Sequence, residues 1–254
     1  PRVSQTIPPG SRTSRPLTGA PARPALTLRT PIMLETDGWD DYRLLDIGAG
    51  RKLERYGRLV IDRPEPQALG HRRLPDAAWE RADAIFTGDK EEEGPGRWHM
   101  RERLGETWPM KIGAVDFLGR FTSFRHVGLF PEQETHWADA CQRIAARDGE
   151  PRVLNLFGYT GLASLLAAQA GARVTHVDAS KKAIGWGREN QATAGLEALP
   201  IRWICEDAMK FAERETRRGS RYEGILLDPP KFGRGPNGEV WDVFRDLPRL
   251  LDLS

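Results

Sequence analysis

The sequence predicts an α/β fold, a doubly wound and mostly parallel sheet, preceded by a small β-rich domain. Two observations predict the sheet: four short apolar runs lie between Val153 and Leu227, and segments of helical propensity separate them. Alternating strands and helices with short loops are typical of parallel strands joined by right-handed crossovers. A third observation predicts the β-rich domain, because the upstream runs alternate in polarity and break at glycines, as antiparallel strands do.

Composition sets broad limits. The chain has 254 residues, of which 39% are hydrophobic, enough for a sizeable core. Its formal net charge of +2 neither requires nor excludes a nucleic-acid partner. Cys141 and Cys205 are its two cysteines, without the spacing of zinc ligands. No apolar run approaches the ~20 residues of a membrane span. We therefore expect a cytoplasmic protein without a metal or a membrane partner, and the sequence carries no signal of its oligomeric state.

We divide the chain into three parts. Residues 1–34 contain seven prolines, five arginines and no acidic residue. This composition predicts a disordered tail, and because prolines disrupt an amphipathic helix it disfavours a transit peptide. Residues 36–125 form the predicted β-rich accessory domain, and residues 126–254 contain the predicted parallel sheet.

Within the β-rich part, Leu44–Gly50 imitates the strand and glycine-rich loop of a cofactor site. The following segment, Arg51–Gly57, is too short and too polar for the crossover helix that a parallel connection needs. The glycine-rich connection therefore predicts a β-hairpin. Further on, the runs between Trp98 and Phe124 predict an antiparallel meander.

The second half changes to the pattern of buried strands and intervening helices. Ser180 is a predicted helix N-cap, and Gly171 and Gly195 are predicted helix ends. The expected elements are a helix over 137–146, a strand over 153–157, a helix over 162–170, a strand over 173–177, a helix over 180–194, and strands over 201–205 and 222–227.

The first candidate site lies after the first of these strands. Gly158 and Gly161 flank the turn, where missing Cβ atoms let a ligand approach the free N–H groups of a helix N-terminus, although an ordinary tight turn has the same residues. Asp178 ends the next strand, where a carboxylate accepts ribose hydroxyls or simply caps a helix. Because the loop lacks the G-x-G-x-x-G signature, NAD is disfavoured.

Two more strand ends carry acidic residues. Asp207 follows the third strand, where its carboxylate would accept a hydrogen bond from an adenine amino group, and a helix N-cap role is compatible with this. Asp228 is followed by Pro229 and Pro230, which fix φ, remove two donors and hold backbone carbonyls in one orientation. A strand terminator needs one proline, so the pair favours a rigid loop that holds a planar substrate group.

These segments resemble class I S-adenosylmethionine-dependent methyltransferases, which have a Rossmann-like fold. Within that class they are similar to the bacterial group that includes the large-subunit ribosomal RNA (cytosine-5) methyltransferases. The segments that carry the resemblance are Val127–Gln133, Asn155–Gly161, Val177–Ala183, Asn190 and Asp228–Phe232.

The resemblance implies S-adenosylmethionine as cofactor and assigns roles by position. The loop Phe157, Gly158, Tyr159, Thr160 and Gly161 would surround the methionine part of the cofactor. Further cofactor contacts are implied for Asn155, Gln133, Asp178 at the ribose and Asp207 at the adenine. The catalytic set facing the methyl acceptor would be Asp228, Pro229 and Pro230.

The implied function is methylation of a base in ribosomal RNA, with the RNA as partner. A methyltransferase for a small molecule or a protein, and a non-catalytic S-adenosylmethionine-binding module, stay open as alternatives. Carbon-5 chemistry requires a cysteine nucleophile, which the related enzymes carry after the fourth strand. The fold also adds three more strands there, so we expect this chain to be C-terminally incomplete. Arg234 is either a phosphate contact or a solvated charge.

Overall fold

In the computed structural model, the described residues are 33–36, 38–88 and 96–254. The tail predicted for residues 1–34 lies almost entirely outside this part of the chain. Within the described residues, no helix is long and apolar enough to cross a membrane. Nor do those residues contain a cluster of three or more His, Cys, Asp and Glu side chains placed to hold a metal ion.

The N-terminal region is built on a five-stranded sheet, in which neighbouring strands follow the chain order. The strands are β1 (Tyr42–Gly48), β2 (Arg51–Tyr56), β3 (Leu59–Pro64), β4 (Ala84–Gly88) and β5 (Gly96–Met100). β3 and β4 are parallel and are connected through the short helix α1 (Asp76–Trp79), whereas the other pairs are antiparallel.

The hairpin predicted at the glycine-rich connection is confirmed. β1 and β2 are antiparallel, and the connection runs through Ala49 and Gly50, whose φ angles of 51° and 74° are both positive. Two left-handed residues give the turn a twist that matches the flanking strands. The apparent cofactor motif in this region is therefore a turn.

The meander predicted between Trp98 and Phe124 is wrong in its pairing. β5 pairs with β4, and the next strands, β6 (Thr107–Ile112) and β7 (Val115–Arg120), form a separate hairpin. Alternating polarity identifies a strand and its buried face, but it does not specify the neighbouring strand. The charged segment between β5 and β6 also separates the two sheets.

The second half contains the predicted parallel sheet, with strands in the order β10-β9-β8-β11. Ser180 caps its helix as predicted, because the Ser180 hydroxyl accepts the backbone N–H of Ala183 at 3.2 Å. The elements are α2 (Glu134–Ala145), β8 (Arg152–Leu156), α3 (Leu162–Gln169), β9 (Arg173–Asp178), α4 (Lys181–Thr193), β10 (Ile201–Cys205), α5 (Ala208–Arg218) and β11 (Gly224–Leu227).

The segment after β11 was not predicted in detail. It forms a short antiparallel hairpin, β12 (Phe232–Arg234) with β13 (Val240–Asp242), and then the helix α6 (Val243–Leu253). The Asp242 carboxylate caps α6 by accepting the backbone N–H groups of Phe244 and Arg245. The hairpin therefore folds back at the end of the sheet where β11 stops.

The core connects the two regions. Buried Trp108 and Phe117 of the β6-β7 hairpin belong to the same apolar cluster as Leu162 and Leu165 of α3. The division of the chain at residues 125 and 126 stays a prediction, and this shared cluster lies across it.

Candidate functional site

The predicted site residues meet at the carboxyl end of the parallel sheet. The strand order reverses on either side of β8, so the loops after β8 and β11 leave the sheet in different directions and open a crevice, as at the ligand sites of doubly wound folds. A cavity of about 1140 Å³ occupies this edge. Its lining includes Gln133, Asn155, Phe157, Gly158, Tyr159, Thr160, Asp178, Asp207, Asp228, Pro229 and Pro230.

The loop after β8 has a strained backbone. Phe157 and Tyr159 have φ angles of 57° and 52°, a left-handed conformation that costs a residue with a side chain roughly 1–2 kcal/mol. Aromatic packing holds both residues in place. The Phe157 ring lies 4.8 Å from the ring of Trp241, and the Tyr159 ring lies 5.5 Å from that of Phe130, measured between centroids.

The two loop glycines make room for side chains of the protein itself. A Cβ atom on Gly158 would lie 2.3 Å from His176 Cε1, and one on Gly161 would lie 2.5 Å from the Trp203 ring. Gly161 accordingly does not line the cavity with the other predicted residues. The sequence left ligand approach and an ordinary tight turn open for these glycines, and it did not indicate the packing of His176 and Trp203 against them.

Asn155 belongs to a buried group of polar side chains next to the loop after β8. Its side-chain amide donates to Ser164 Oγ at 2.9 Å, and Ser164 Oγ lies 2.9 Å from His176 Nδ1. All three side chains are buried. Burial lowers the pKa of His176 to about 3, so this histidine is neutral at physiological pH. The predicted contact of Asn155 with a cofactor stays a prediction.

A pH dependence of stability follows from His176. Its pKa is near 6.5 in the unfolded chain and about 3 in the fold, so the unfolded state binds more protons between these values and stability falls as pH falls. We expect the free energy of unfolding to drop by roughly 2 kcal/mol from pH 8 to pH 5 on this account.

His126 should contribute in the same direction. Burial and the charges of Arg63 and Arg125 lower the pKa of His126 to about 3, so the free energy of unfolding of the His126→Asn variant should depend less steeply on pH. Urea unfolding at the two pH values measures this, and a pH-independent free energy would contradict it.

The Asp178 carboxylate connects the loop after β8 with the start of helix α4. Its Oδ2 accepts the backbone N–H of Tyr159 at 2.8 Å, and its Oδ1 accepts that of Ser180 at 2.8 Å. Burial raises the pKa of this carboxyl, and the two N–H donors partly offset the rise. Each carboxylate oxygen keeps further acceptor capacity for a hydroxyl group.

Asp207 has the N-cap role that the sequence allowed. Its Oδ1 accepts the backbone N–H of Lys210 at 3.0 Å, at the start of α5. The side chain is buried and the residue lines the cavity, so capping and a ligand contact are compatible.

The segment before α2 closes one side of the cavity. The Thr160 hydroxyl donates to the carbonyl of Gly128 at 2.6 Å, which joins this segment to the loop after β8. Gln133 ends the 3-10 helix Pro131–Gln133. This turn brings Gln133 and Glu132 into the cavity lining.

Asp228 and its two prolines line the cavity after β11. Burial raises the pKa of the Asp228 carboxyl, and the negative charge of Glu132 raises it further, while His136 acts in the other direction. Trp241 donates its indole N–H to the carbonyl of Pro230 at 2.8 Å. Sequence reasoning missed Trp241, because nothing in its local sequence indicates that a hairpin would bring it back to this loop.

A crystal structure of an S-adenosylmethionine-dependent methyltransferase from Agrobacterium tumefaciens is 60% identical to this chain, with a TM-score of 0.86, and the match covers 89% of this chain and 71% of that one. A methyltransferase solved in complex with SAH is 18% identical with a TM-score of 0.66, covers 84% of this chain and 57% of that one, and shows the fold alone. No protein-family model matches the chain.

Two curated relatives are named ribosomal RNA large subunit methyltransferase K/L. The one from Syntrophotalea carbinolica is 30% identical over 167 residues, which are 65% of this chain and 22% of that protein. The one from Pseudomonas paraeruginosa is 32% identical over 191 residues, which are 74% of this chain and 24% of that protein. The chain thus spans about a quarter of the length of these curated relatives.

Proposed function

Because this chain belongs to the S-adenosylmethionine-dependent methyltransferases, we propose that it methylates a base in RNA. Large-subunit ribosomal RNA is the substrate that the names of its curated relatives suggest. Such a substrate would place the protein in the cytoplasm. The observation that supports the proposal best is the convergence of the three strand-end carboxylates, Asp178, Asp207 and Asp228, on one cavity with the loop after β8.

The residues on the cofactor side fit S-adenosylmethionine. Asp178 has acceptor capacity left on both oxygens, as two ribose hydroxyls require, and its backbone partners hold the carboxylate still. In this proposal Asp207 accepts a hydrogen bond from the adenine amino group, while Gln133, Asn155 and the loop Phe157–Thr160 enclose the methionine part. S-adenosylmethionine supplies a methyl group on a positively charged sulfur.

The acceptor side consists of Asp228 and the prolines. Pro229 and Pro230 have no N–H groups, so this segment offers hydrogen-bond acceptors alone, and the Pro230 carbonyl already accepts the Trp241 N–H. In this proposal the Asp228 carboxylate and the Pro229 carbonyl face a planar base with amino groups at its edge. The raised pKa of the half-buried Asp228 makes it a better proton acceptor than an exposed carboxylate. Catalysis would rest mainly on positioning the acceptor atom in line with the methyl group.

The direct test incubates the protein with methyl-tritiated S-adenosylmethionine and deproteinised large-subunit ribosomal RNA. We expect label in the RNA, and nuclease digestion with chromatography of the nucleosides would identify the modified base. RNA that stays unlabelled while the protein binds S-adenosylmethionine would refute the proposed substrate. Calorimetry with S-adenosylmethionine alone separates a non-catalytic binding module from a chain that does not bind the cofactor.

Replacing Asp228 with alanine should separate catalysis from cofactor binding. We expect methyl transfer to fall by about 100-fold, a typical effect of removing an acid-base or positioning group. The dissociation constant for S-adenosylmethionine should stay within about threefold, because Asp228 lies on the acceptor wall. Asp228→Asn keeps the shape and one acceptor, and we expect it to retain more activity than Asp228→Ala. Equal losses of binding and rate would contradict this division of the cavity.

A further inference from the structure

Trp241 lies between the two loops that form the walls of the cavity. It is 4% exposed and comes from β13, in the hairpin after the Asp228 loop. Its indole N–H bonds to the carbonyl of Pro230 at 2.8 Å, while its ring packs against Phe157 with centroids 4.8 Å apart. One side chain therefore contacts the loop after β8 and the loop after β11.

The conformation of the loop after β8 depends on packing around its aromatic rings, and that of the loop after β11 depends on hydrogen bonds to its carbonyl groups. Phe157 has a left-handed φ of 57°, so packing around its ring opposes relaxation to a commoner conformation. Pro229 and Pro230 have no backbone donors, so their segment is anchored through acceptors. The Trp241 N–H supplies a donor to Pro230, and the backbone N–H of Val243 supplies one to the carbonyl of Lys231 at 3.0 Å.

We propose that Trp241 is a positioning residue that sets the spacing between the methyl-donor loop (residues 157–161) and the acceptor loop (residues 228–231). This inference rests on the proposed methyl transfer and adds a residue to it. In-line transfer needs the reacting atoms roughly 3–3.5 Å apart, and a displacement of about 1 Å costs on the order of 100-fold in rate. A rigid aromatic ring bonded to one loop and packed on the other fixes that distance.

Trp241→Phe tests the proposal, because it keeps an aromatic ring and removes the N–H donor. Trp98→Phe is the matched control: the Trp98 indole N–H donates to the carbonyl of Thr122 at 2.9 Å, so the same kind of bond is lost in the N-terminal region. Three quantities are measured on each protein: the dissociation constant for S-adenosylmethionine, the single-turnover rate of methyl transfer, and hydrogen exchange of peptides covering residues 231–235.

For Trp241→Phe we expect about tenfold faster exchange in residues 231–235 and a rate about tenfold lower. The dissociation constant for the cofactor should stay within threefold. Trp98→Phe should leave all three quantities unchanged. Unchanged exchange and rate in Trp241→Phe, or equal effects in both variants, would overturn the proposal. If Trp241→Phe does not fold, 3-benzothienylalanine at position 241 keeps the ring shape and replaces the N–H by sulfur.

The exchange measurement needs no substrate. If the wild-type protein does not methylate RNA, the proposed function fails, while faster exchange in Trp241→Phe would still show that Trp241 holds residues 231–235, the segment that continues from the acceptor loop. If RNA is methylated and the variant matches the wild type in rate and exchange, only the role of Trp241 fails.

Discussion

Replacing Asp178 with asparagine is expected to weaken S-adenosylmethionine binding by about 100-fold, equivalent to about 2.7 kcal/mol. Both carboxylate oxygens accept backbone N–H groups, one from Tyr159 and one from Ser180. An asparagine has one carbonyl oxygen, so its NH₂ group would face one of these donors and leave it unpaired. The substitution thus removes a charged acceptor for the ribose and loosens the strained loop at Tyr159. Calorimetry measures the change.

Asp46→Asn provides the control for Asp178→Asn. Asp46 also accepts backbone N–H groups, those of Ile47, Arg73 and Leu74, but it lies in the N-terminal sheet. We expect Asp46→Asn to lower thermal stability and to leave the dissociation constant for S-adenosylmethionine unchanged. A folded Asp178→Asn variant that binds the cofactor within threefold of wild type would contradict the assignment of Asp178.

Alanine substitutions at two glycines of helix α4 are expected to have opposite effects on stability. A Cβ atom on Gly187 would lie 2.3 Å from the Trp203 ring, whereas one on Gly185 would meet nothing within 4 Å. Trp203 cannot easily retreat, because its indole N–H is bonded to Gln191 at 2.9 Å and its ring packs on His176. Gly187→Ala should therefore destabilise the protein by about 1–3 kcal/mol.

Gly185→Ala should stabilise the protein by about 0.5–1 kcal/mol, since alanine is the better helix former and the site is open. Urea unfolding of the two variants beside the wild type gives both values. Both variants replace glycine with alanine in the same helix, so helix propensity contributes about equally to both changes in the free energy of unfolding. The difference between the two values therefore measures the contact of the added Cβ atom with Trp203. If both variants shift stability in the same direction, the contact between Gly187 and Trp203 does not constrain the fold as described.

The parallel sheet could be predicted from sequence because its signals are local. The run Val153–Phe157, the cap at Ser180 and the strand Ile201–Cys205 each carry their own pattern of apolarity or capping, and the structure places strands and a cap there. The convergence of the acidic residues at the strand ends could also be predicted, since parallel strands bring their carboxyl ends to one edge of the sheet.

What sequence reasoning missed depends on contacts between distant residues. The pairing of β5 with β4 depends on the tertiary arrangement of the strands. The alternation of apolar and polar residues does not encode that arrangement. His176 and Trp203 fill the space at Gly158 and Gly161, and the loop sequence alone does not reveal either contact. Trp241 reaches Pro230 only because an unpredicted hairpin reverses the chain between them.

Asn190 links the loop after β8 to the β-rich region. Its amide donates to the carbonyl of Thr160 at 3.0 Å, and its Oδ1 accepts the backbone N–H of Leu118 in β7 at 3.1 Å. The side chain is buried, so neither bond is readily replaced by water. Substitutions that shift the backbone of β7 should therefore displace the loop after β8. A chimaera that joins this parallel sheet to the β-rich region of a distant relative should need matched residues on both sides of Asn190.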